Sequence, residues 1–283
     1  MREQDPSPHT SWRPSGFVTL LTDFGLWDTY VGVMKGVLAR HHPRARAVDL
    51  THAVPPQDVR AAALHLASAW TWFPRGSVHV CVVDPGVGSG RRILVGEQRG
   101  HAFLAPDNGL LSGVLEPDAA LYALDLEALQ LGSVSRTFHG RDVFMPAAAR
   151  LLRGRAPCEL GRPVEDALRL EWPRPAREGS AWRASVVHAD RFGNLRTCLT
   201  RADLAPEDAC GWSAQAGGRA LPVGATYADV AVGEALTLVD SSGYWELAVR
   251  DGSARAELGL EPGAEVRFTP AAAAAGRGAS VTT

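Results

Sequence analysis

The sequence predicts an α/β N-terminal domain with a central, mainly parallel sheet flanked by helices, followed by a smaller all-β domain. Three observations carry this expectation. Between Phe17 and about Ala156, apolar runs ending in polar turns alternate with stretches of helical periodicity, the pattern of a sheet covered by helices. Past EWPRPAREGS, at about residues 171–180, the runs become short and β-like (ASVVHAD, ALTLVD, YWELAV, EVRF), separated by FGN, SSG and DGS, as in a small all-β domain. The chain of 283 residues is long enough for two ordinary domains. The expected boundaries are a tail at 1–15, an α/β domain at 16–172, a β domain at 180–270 and a second tail at 271–283.

The elements follow in order. FVTLL is a short apolar run that breaks into TDFG, as a buried strand does at its C-terminal edge. Thr29–His41 carries Val33, Val37 and Leu38 at helical spacing. ARAVDL reads as the second strand, and Asp58–Trp72, rich in Ala and Leu, as a helix stopped by Pro74. SVHVCVVD is the third strand and ends in DPGVG; ILVGE and HAFLA form a hairpin around QRG. Ligand sites in such sheets gather at the carboxyl ends of the strands, where Asp23 and Asp84 both fall.

Composition narrows the function classes. Hydrophobic residues make up 46% and charged residues 21% of the chain, values of a globular protein. The formal charge is -2, from 29 basic and 31 acidic residues. Without a basic stripe, a nucleic-acid partner is not expected. No run approaches the roughly 18 apolar residues of a membrane span. Cys81, Cys158, Cys198 and Cys210 are widely spaced with no CxxC pair, so neither a disulfide framework nor a zinc knuckle is expected, and the expected location is the cytoplasm. The polar, Pro-rich N-terminus has no apolar leader core.

Several clusters could carry chemistry, and each has a plain structural alternative. Asp23 and Asp28 could cap or close turns. In DPGVGSGRR the glycines permit close backbone approach to a ligand, and Asp84 and Arg91, seven apart across the turn, can form an ion pair. No GxxxxGK[ST] phosphate loop is present. FHGRD places His139 in a glycine-bearing loop, which favours a functional role, whereas Arg141 and Asp142 suit loop anchoring before a helix at Met145–Leu152. PDNG at Pro106–Gly109 is a strong turn signal. DRFGN offers Phe192 as a ring to stack on and Asn194 as an amide to read a purine edge, although a hairpin turn explains it equally. Asp23, His52, Asp84, Asp107 and His139 lack any recognised metal-ligand spacing, and no GxSxG elbow marks a serine nucleophile.

Taken together, LTDFGLWDTYVGVMKGV, VDLTHAVPPQDV, FPRGSVHVCVVDPGVGSGRR, APDNGLLSGVL, TFHGRDVFMPAAA, DRFGNLRT and GYWELAV closely resemble the S-adenosyl-L-methionine hydrolase (adenosine-forming) family, relatives of the fluorinase and chlorinase. The resemblance runs from about Val18 to Phe268 with the motifs in the family's order. It implies that water displaces methionine at the 5′ carbon of S-adenosyl-L-methionine, giving adenosine and L-methionine with no metal or other cofactor. The implied catalytic set falls on Asp84, Arg91 and His139. The ribose-binding acid falls on Asp23, and the positions holding adenine and the amino-acid end fall on Asp190, Phe192, Asn194, Ser241 and Glu246. A homotrimer, with sites between the first domain of one subunit and the second domain of its neighbour, is also implied.

The chemistry is coherent, because a sulfonium leaves as a neutral thioether and needs no acid. What remains is to aim and polarise a water for in-line attack. The short stretch from Arg92 to Pro106 has no room for the loop inserted in fluorinases, and Gln57 stands where fluorinases have a tryptophan. DSSGYWE departs from the family's usual NSFGYLE at Ser242 and Trp245. A halide-dependent 5′-halo-5′-deoxyadenosine synthase and a non-catalytic sensor of adenosyl ligands are the alternatives.

Overall fold

The computed structural model describes residues 12–116 and 119–270. It divides between Leu170 and Glu171 into two compact units. The expected tails lie outside the described residues, except for residues 12–15.

Unit 1 is built in chain order from β1 (Phe17–Thr22), α1 (Tyr30–His41), β2 (Arg46–Thr51), α2 (Val59–Ala69), β3 (Val78–Val82), β4 (Ile93–Gln98), β5 (His101–Pro106), β6 (Leu121–Leu124), α3 (Met145–Leu152) and β7 (Gly161–Pro163). The strand order is β2-β1-β3-β5-β4-β6-β7. Strands β1, β3 and β5 are buried almost throughout, because both sheet faces are covered. On one face Val18, Leu20, Val80 and Val82 pack with Met34 and Leu38 of α1 and Ala148 and Leu151 of α3. On the other, Leu21, Cys81 and Phe103 pack with Ala62 and Leu66 of α2.

The sheet is mixed, which corrects the expectation of a mainly parallel one. The pairings β2-β1, β1-β3 and β3-β5 are parallel; β5-β4, β4-β6 and β6-β7 are antiparallel. The cause is the β4–β5 hairpin. Its turn residues Arg99 and Gly100 have φ of 49° and 78°, as in the tight two-residue turns that join only antiparallel strands. Once β4 lies outside β5, the following strands add to an edge already reversed.

Two further readings change in detail. Helix α1 buries Val31, Met34 and Leu38, whereas Val33, one of the residues noted at helical spacing, is exposed. Helix α2 starts at its Asp58 cap, whose side chain accepts from Ala61 N–H, and ends at Ala69; a 3-10 turn continues to Trp72.

The expected N-terminal tail also ends earlier than residue 15. Trp12 is 7% exposed within the α1/α3 core, its indole N–H donates to Leu151 O at 3.0 Å, and Ser15 N–H donates to Gly76 O at 2.9 Å. An indole brings too much apolar area to be left in water when a pocket can hold it.

Unit 2 comprises β8 (Ala176–Glu178), β9 (Ala181–Ala189), β10 (Leu195–Thr200), β11 (Trp212–Ala216), β12 (Arg219–Pro222), β13 (Ala235–Val239), β14 (Tyr244–Val249), α4 (Ala254–Leu258) and β15 (Glu265–Pro270). All its strand pairings are antiparallel, in the order β12-β11-β15-β9-β10-β14-β13 with β8 on β9. The stretch expected as a linker thus supplies β8. An isolated bridge between Val223 and Thr237 joins the two ends of this order, so the sheet comes close to a barrel and leaves little free edge. Its core centres on Trp245, fully buried against Phe268 at 5.5 Å and donating its indole N–H to Leu204 O.

Trp12→Ala removes a buried indole and its hydrogen bond, and is expected to destabilise unit 1 by about 3–5 kcal/mol in urea unfolding. A loss below about 1 kcal/mol would mean that residues 12–15 contribute nothing to the core.

Candidate active site

Strand β3 runs out at its carboxyl end into Val83 and Asp84, and the chain turns through Pro85–Gly90 to bring Arg91 back. Arg91 Nε donates to Asp84 Oδ1 at 2.9 Å, and Nη2 donates to Asp84 Oδ2. The carboxylate is therefore gripped by both arms of one guanidinium, the strongest geometry available to this pair. Their side chains are 11% and 5% exposed.

The same Nη2 also donates to Nδ1 of His139 at 2.8 Å. His139 immediately precedes a π-helical turn, Gly140–Phe144, that leads into α3, a local geometry that recurs at functional sites. The structure thus brings Asp84, Arg91 and His139 into one hydrogen-bonded chain. Guanidinium is a donor only, so Nδ1 must accept, and the proton of the neutral ring sits on Nε2. Burial, and then the Arg91 charge, lower the His139 pKa below the ordinary histidine value, against the opposing pull of Asp84 and Asp142.

What joins the two motifs is a backbone contact. Gly88 has φ +78°, and a Cβ there would lie 2.4 Å from Arg136 O. Only glycine allows the 84–91 turn to press against the segment leading to His139. That segment is fixed in turn by Asp142, which accepts from Ser135 N–H at 2.9 Å and from Arg141 in a bidentate pair at 2.6 and 2.8 Å. Arg141 also lies over the Phe138 ring. Both residues anchor the loop, the role their sequence context suggested.

Asp84 and His139 line a cavity of about 400 Å³, together with Asp23, Phe24, Tyr30, Gln57, Val87 and Phe138. That volume suits a small organic ligand. Phe24, Tyr30 and Phe138 form an aromatic wall with centroid separations of 5.2 to 6.2 Å. Asp23 Oδ2 accepts from Gln57 N–H at 2.8 Å, holding the turn at Gln57, where φ is +65°.

Asp107, His52 and His79 of unit 1 make structural contacts instead. Asp107 accepts from Arg92 Nε and from Leu168 N–H, both at 2.8 Å. Asn108 of PDNG donates to Val83 O at 2.9 Å, steadying the strand end that carries Asp84. His52 Nδ1 bonds Thr22 Oγ1 at 2.8 Å. His79 bonds Thr19 and His101, and burial pushes its pKa down to about 3. Among the described residues, no group of three or more His, Cys, Asp or Glu is arranged to hold a metal.

In unit 2 the two motif turns prove to be the same structure. Asp190 Oδ1 accepts from the N–H of Phe192 and Asn194, and Asp240 Oδ1 accepts from those of Ser242 and Tyr244. In each, the Asp N–H donates to the carbonyl four residues on, and the Gly N–H donates to the Asp carbonyl. Asp190, Phe192 and Asn194 line an open cavity of about 760 Å³ with Tyr227 and Arg250. Phe192 is 76% exposed.

Ser241 is exposed at the second turn. Glu246, on β14, is 6% exposed and accepts from Tyr227 Oη at 2.9 Å. Asp240 binds Arg196 Nε at 2.7 Å, and Arg196 lies over the Tyr244 ring. Sequence reasoning singled out none of Tyr227, Arg196 and Asp240 as a site residue. The repeated D-x-x-G of DRFGN and DSSGY was the available signal for Asp240; Tyr227 had none.

Comparisons with known proteins identify the family of both units. Residues 18–161 match the model of the SAM hydroxide adenosyltransferase N-terminal domain, and 184–267 that of its C-terminal domain. The chain is 43% identical to an (R)-S-adenosyl-L-methionine hydrolase of Thermus thermophilus, over 89% of this chain and 98% of that protein. It is 40% identical to another of the same name from Salinispora tropica, over 90% and 98%. A fluorinase from an Actinoplanes species is more distant, at 26% identity over 90% and 97%. A crystal structure of an uncharacterized conserved protein from Thermotoga maritima superposes with a TM-score of 0.82 at 33% identity, covering 89% of this chain and 99% of that one.

Gly88→Ala is expected to lower stability by about 1–2 kcal/mol from the left-handed backbone alone, and to part the two loops. Nitrogen NMR of His139 reads the second effect. The native ring should show its proton on Nε2, and the variant should lose that fixed tautomer. A native ring protonated at Nδ1 would contradict the arrangement.

Proposed function

The chain belongs to the SAM hydroxide adenosyltransferase family, and from that membership we propose that it hydrolyses S-adenosyl-L-methionine to adenosine and L-methionine with Asp84, Arg91 and His139 as its catalytic set. The observation that carries the mechanism is the Arg91 guanidinium bridging Asp84 and His139. With Nδ1 occupied by an Arg91 donor and Nε2 already protonated, neutral His139 has no free site for a further proton. It can only donate. Asp84 is then the acceptor, since each carboxylate oxygen keeps lone-pair capacity beyond its Arg91 bond.

In the proposed step a water lies between Asp84 and His139, on the side of the 5′ carbon opposite the sulfur. The water oxygen forms a bond to the 5′ carbon as the carbon–sulfur bond breaks. The bond electrons leave with sulfur as the neutral thioether of methionine, and a water proton passes to Asp84. His139 Nε2–H aims the water, and Arg91 fixes both partners before the substrate arrives, so little reorganisation remains for the reaction itself. The aromatic wall of Phe24, Tyr30 and Phe138 suits a sulfonium next to an apolar sugar face, and Asp23 is placed at the cavity for the ribose hydroxyls. Strand β4 starts directly after Arg92 and turns tightly into β5, which leaves no place for a halide-handling loop and supports water as the nucleophile.

We assign Asp190, Phe192, Asn194, Ser241 and Glu246 to the adenine and amino-acid ends of the substrate. In this reading the enzyme is a homotrimer, with unit 1 of one subunit meeting unit 2 of its neighbour. Two features support the assembly: the open cavity around exposed Phe192, and the exposed Leu26 and Trp27 near cavity-lining Tyr30, apolar area of the kind subunit interfaces cover. The reaction as written needs no metal or cofactor, and no nucleic acid or membrane partner enters it. Among the described residues no helix is long and apolar enough to cross a membrane. The four cysteines are unpaired, in keeping with the cytoplasm.

Purified protein incubated with S-adenosyl-L-methionine should release adenosine and methionine in equal amounts, without dependence on chloride or fluoride and without loss on adding chelator. A 5′-haloadenosine, binding without turnover, or strong inhibition by chelator would each overturn a part of the reading. Asp84→Ala and His139→Ala should lower kcat by about 100-fold or more while changing the Kd for substrate only a few-fold. Parallel losses in both quantities would make these residues mere binding groups.

A further inference from the structure

Asp23 and Phe24 line the unit-1 cavity, yet the turn that carries them is held by a residue the reaction step does not use. Thr22, the last residue of β1, is fully buried, and His52 beside it is 5% exposed. His52 Nδ1 lies 2.8 Å from Thr22 Oγ1, and the same Oγ1 accepts from Phe24 N–H at 3.2 Å. The His52 carbonyl accepts from Gly25 N–H at 2.8 Å. One residue thus holds the turn on both sides of Asp23. Gln57, on the same β2–α2 connection, donates its N–H to the Asp23 carboxylate itself.

The far side of the ring is supported as well. Leu20 pairs with Asp49 and Leu21 with Thr51, so β2 carries one extra residue, Leu50. That irregularity resets the alternation of side chains, and Asp49 and His52, three apart, come together. Asp49 Oδ1 lies 3.1 Å from His52 Nε2, within ion-pair range but outside hydrogen-bond geometry. Asp49 Oδ2 accepts from Lys35 Nζ of α1 at 2.6 Å. A carboxylate only accepts, so the ring nitrogen facing it is the one that carries a proton. In the tautomer this selects, Nδ1 accepts from the Thr22 hydroxyl, and the hydroxyl oxygen keeps its lone pairs for Phe24 N–H.

We propose that His52 is a positioning residue for sugar selectivity: through Thr22 and Gly25 it fixes the turn that carries Asp23, and the preference of the site for a ribose over a deoxyribose depends on it. This rests on the reading of the preceding subsection, in which Asp23 meets the ribose hydroxyls. His52 does not itself line the cavity, so its action passes through the turn. An acceptor held in place is left unpaired when a deoxy sugar arrives, and that loss is what discriminates. An acceptor on a loose turn swings to water instead, and the discrimination fades. A residue that only filled the core would, when replaced, weaken every nucleoside alike.

The test measures Kd by calorimetry for adenosine, 2′-deoxyadenosine and 3′-deoxyadenosine in the native protein, His52→Leu, His52→Asn and Thr22→Val. Native protein should bind adenosine about tenfold more tightly than the weaker of the two deoxy analogues, the scale of one hydrogen bond to a charged group. Leucine keeps apolar bulk and removes both ring nitrogens, and the preference should fall to within about twofold of unity. Thr22→Val removes the same bond from its other partner and should do likewise; it decides the matter if His52→Leu fails to fold. Asparagine places an acceptor near the Nδ1 position and should retain most of the preference. In an Asp23→Ala background, His52→Leu should weaken adenosine binding no further, because the two act as one unit. Equal losses for all three nucleosides with the preference intact, or a further loss in the Asp23→Ala background, overturn the proposal. Native protein that cleaves S-adenosyl-L-methionine and keeps its preference in both His52→Leu and Thr22→Val removes this inference alone. Native protein that neither binds adenosine nor cleaves S-adenosyl-L-methionine removes the proposed function as well.

Discussion

Arg91 sets the terms on which the rest of unit 1 is organised. Its guanidinium carries its donors in one plane, and Nε and Nη2 direct theirs to Asp84 and to Nδ1 of His139. Because it can only donate, it fixes an electronic state as well as a position: the carboxylate is oriented, and the imidazole is held neutral with its proton on Nε2. A lysine in its place could not span both partners in one plane. The arrangement needs two loops, far apart in the chain, pressed together without side chains between them. Gly88 against Arg136 O provides that closeness, and Asp142 with Arg141 keeps the second loop from yielding.

The mixed sheet serves the same end. Strands β1 and β3 lie side by side and parallel, so the chain leaves both at one edge, and Asp23 and Asp84 emerge there together. The β4–β5 hairpin then places PDNG at that edge as well. There Asn108 bonds Val83 O and steadies the strand end beside Asp84. Reversal of the sheet beyond β5 thus adds support to the site. Unit 2 uses a different device. Two hairpin tips of identical hydrogen bonding, closed by Asp190 and Asp240, hold rigid turns with their own side chains, which leaves Phe192 free in solvent.

Much of this was legible along the chain because the relevant signals are local. Buried strands announce themselves as short apolar runs, the QRG hairpin by its turn residues, and Arg141 and Asp142 as loop anchors by their position before a helix. The misreadings have local causes too. Helical spacing picked out Val33, Val37 and Leu38 in α1, whereas the packing buries Val31, Met34 and Leu38. A polar, Pro-rich N-terminus looked like a tail through residue 15, and one tryptophan in it was enough to dock residues 12–15.

What the sequence determined by itself was the division into an α/β unit and a β unit and the order of the motifs, since residue type and spacing carry these. The tertiary structure decided the direction of half the sheet, the meeting of Arg91 with a histidine 48 positions away, the tautomer that meeting imposes, and the pairing of Tyr227 with Glu246. These depend on which backbones approach and which donors face which acceptors after folding. No periodicity along the chain encodes that, because a hydrogen bond is a property of two surfaces brought together by everything between them.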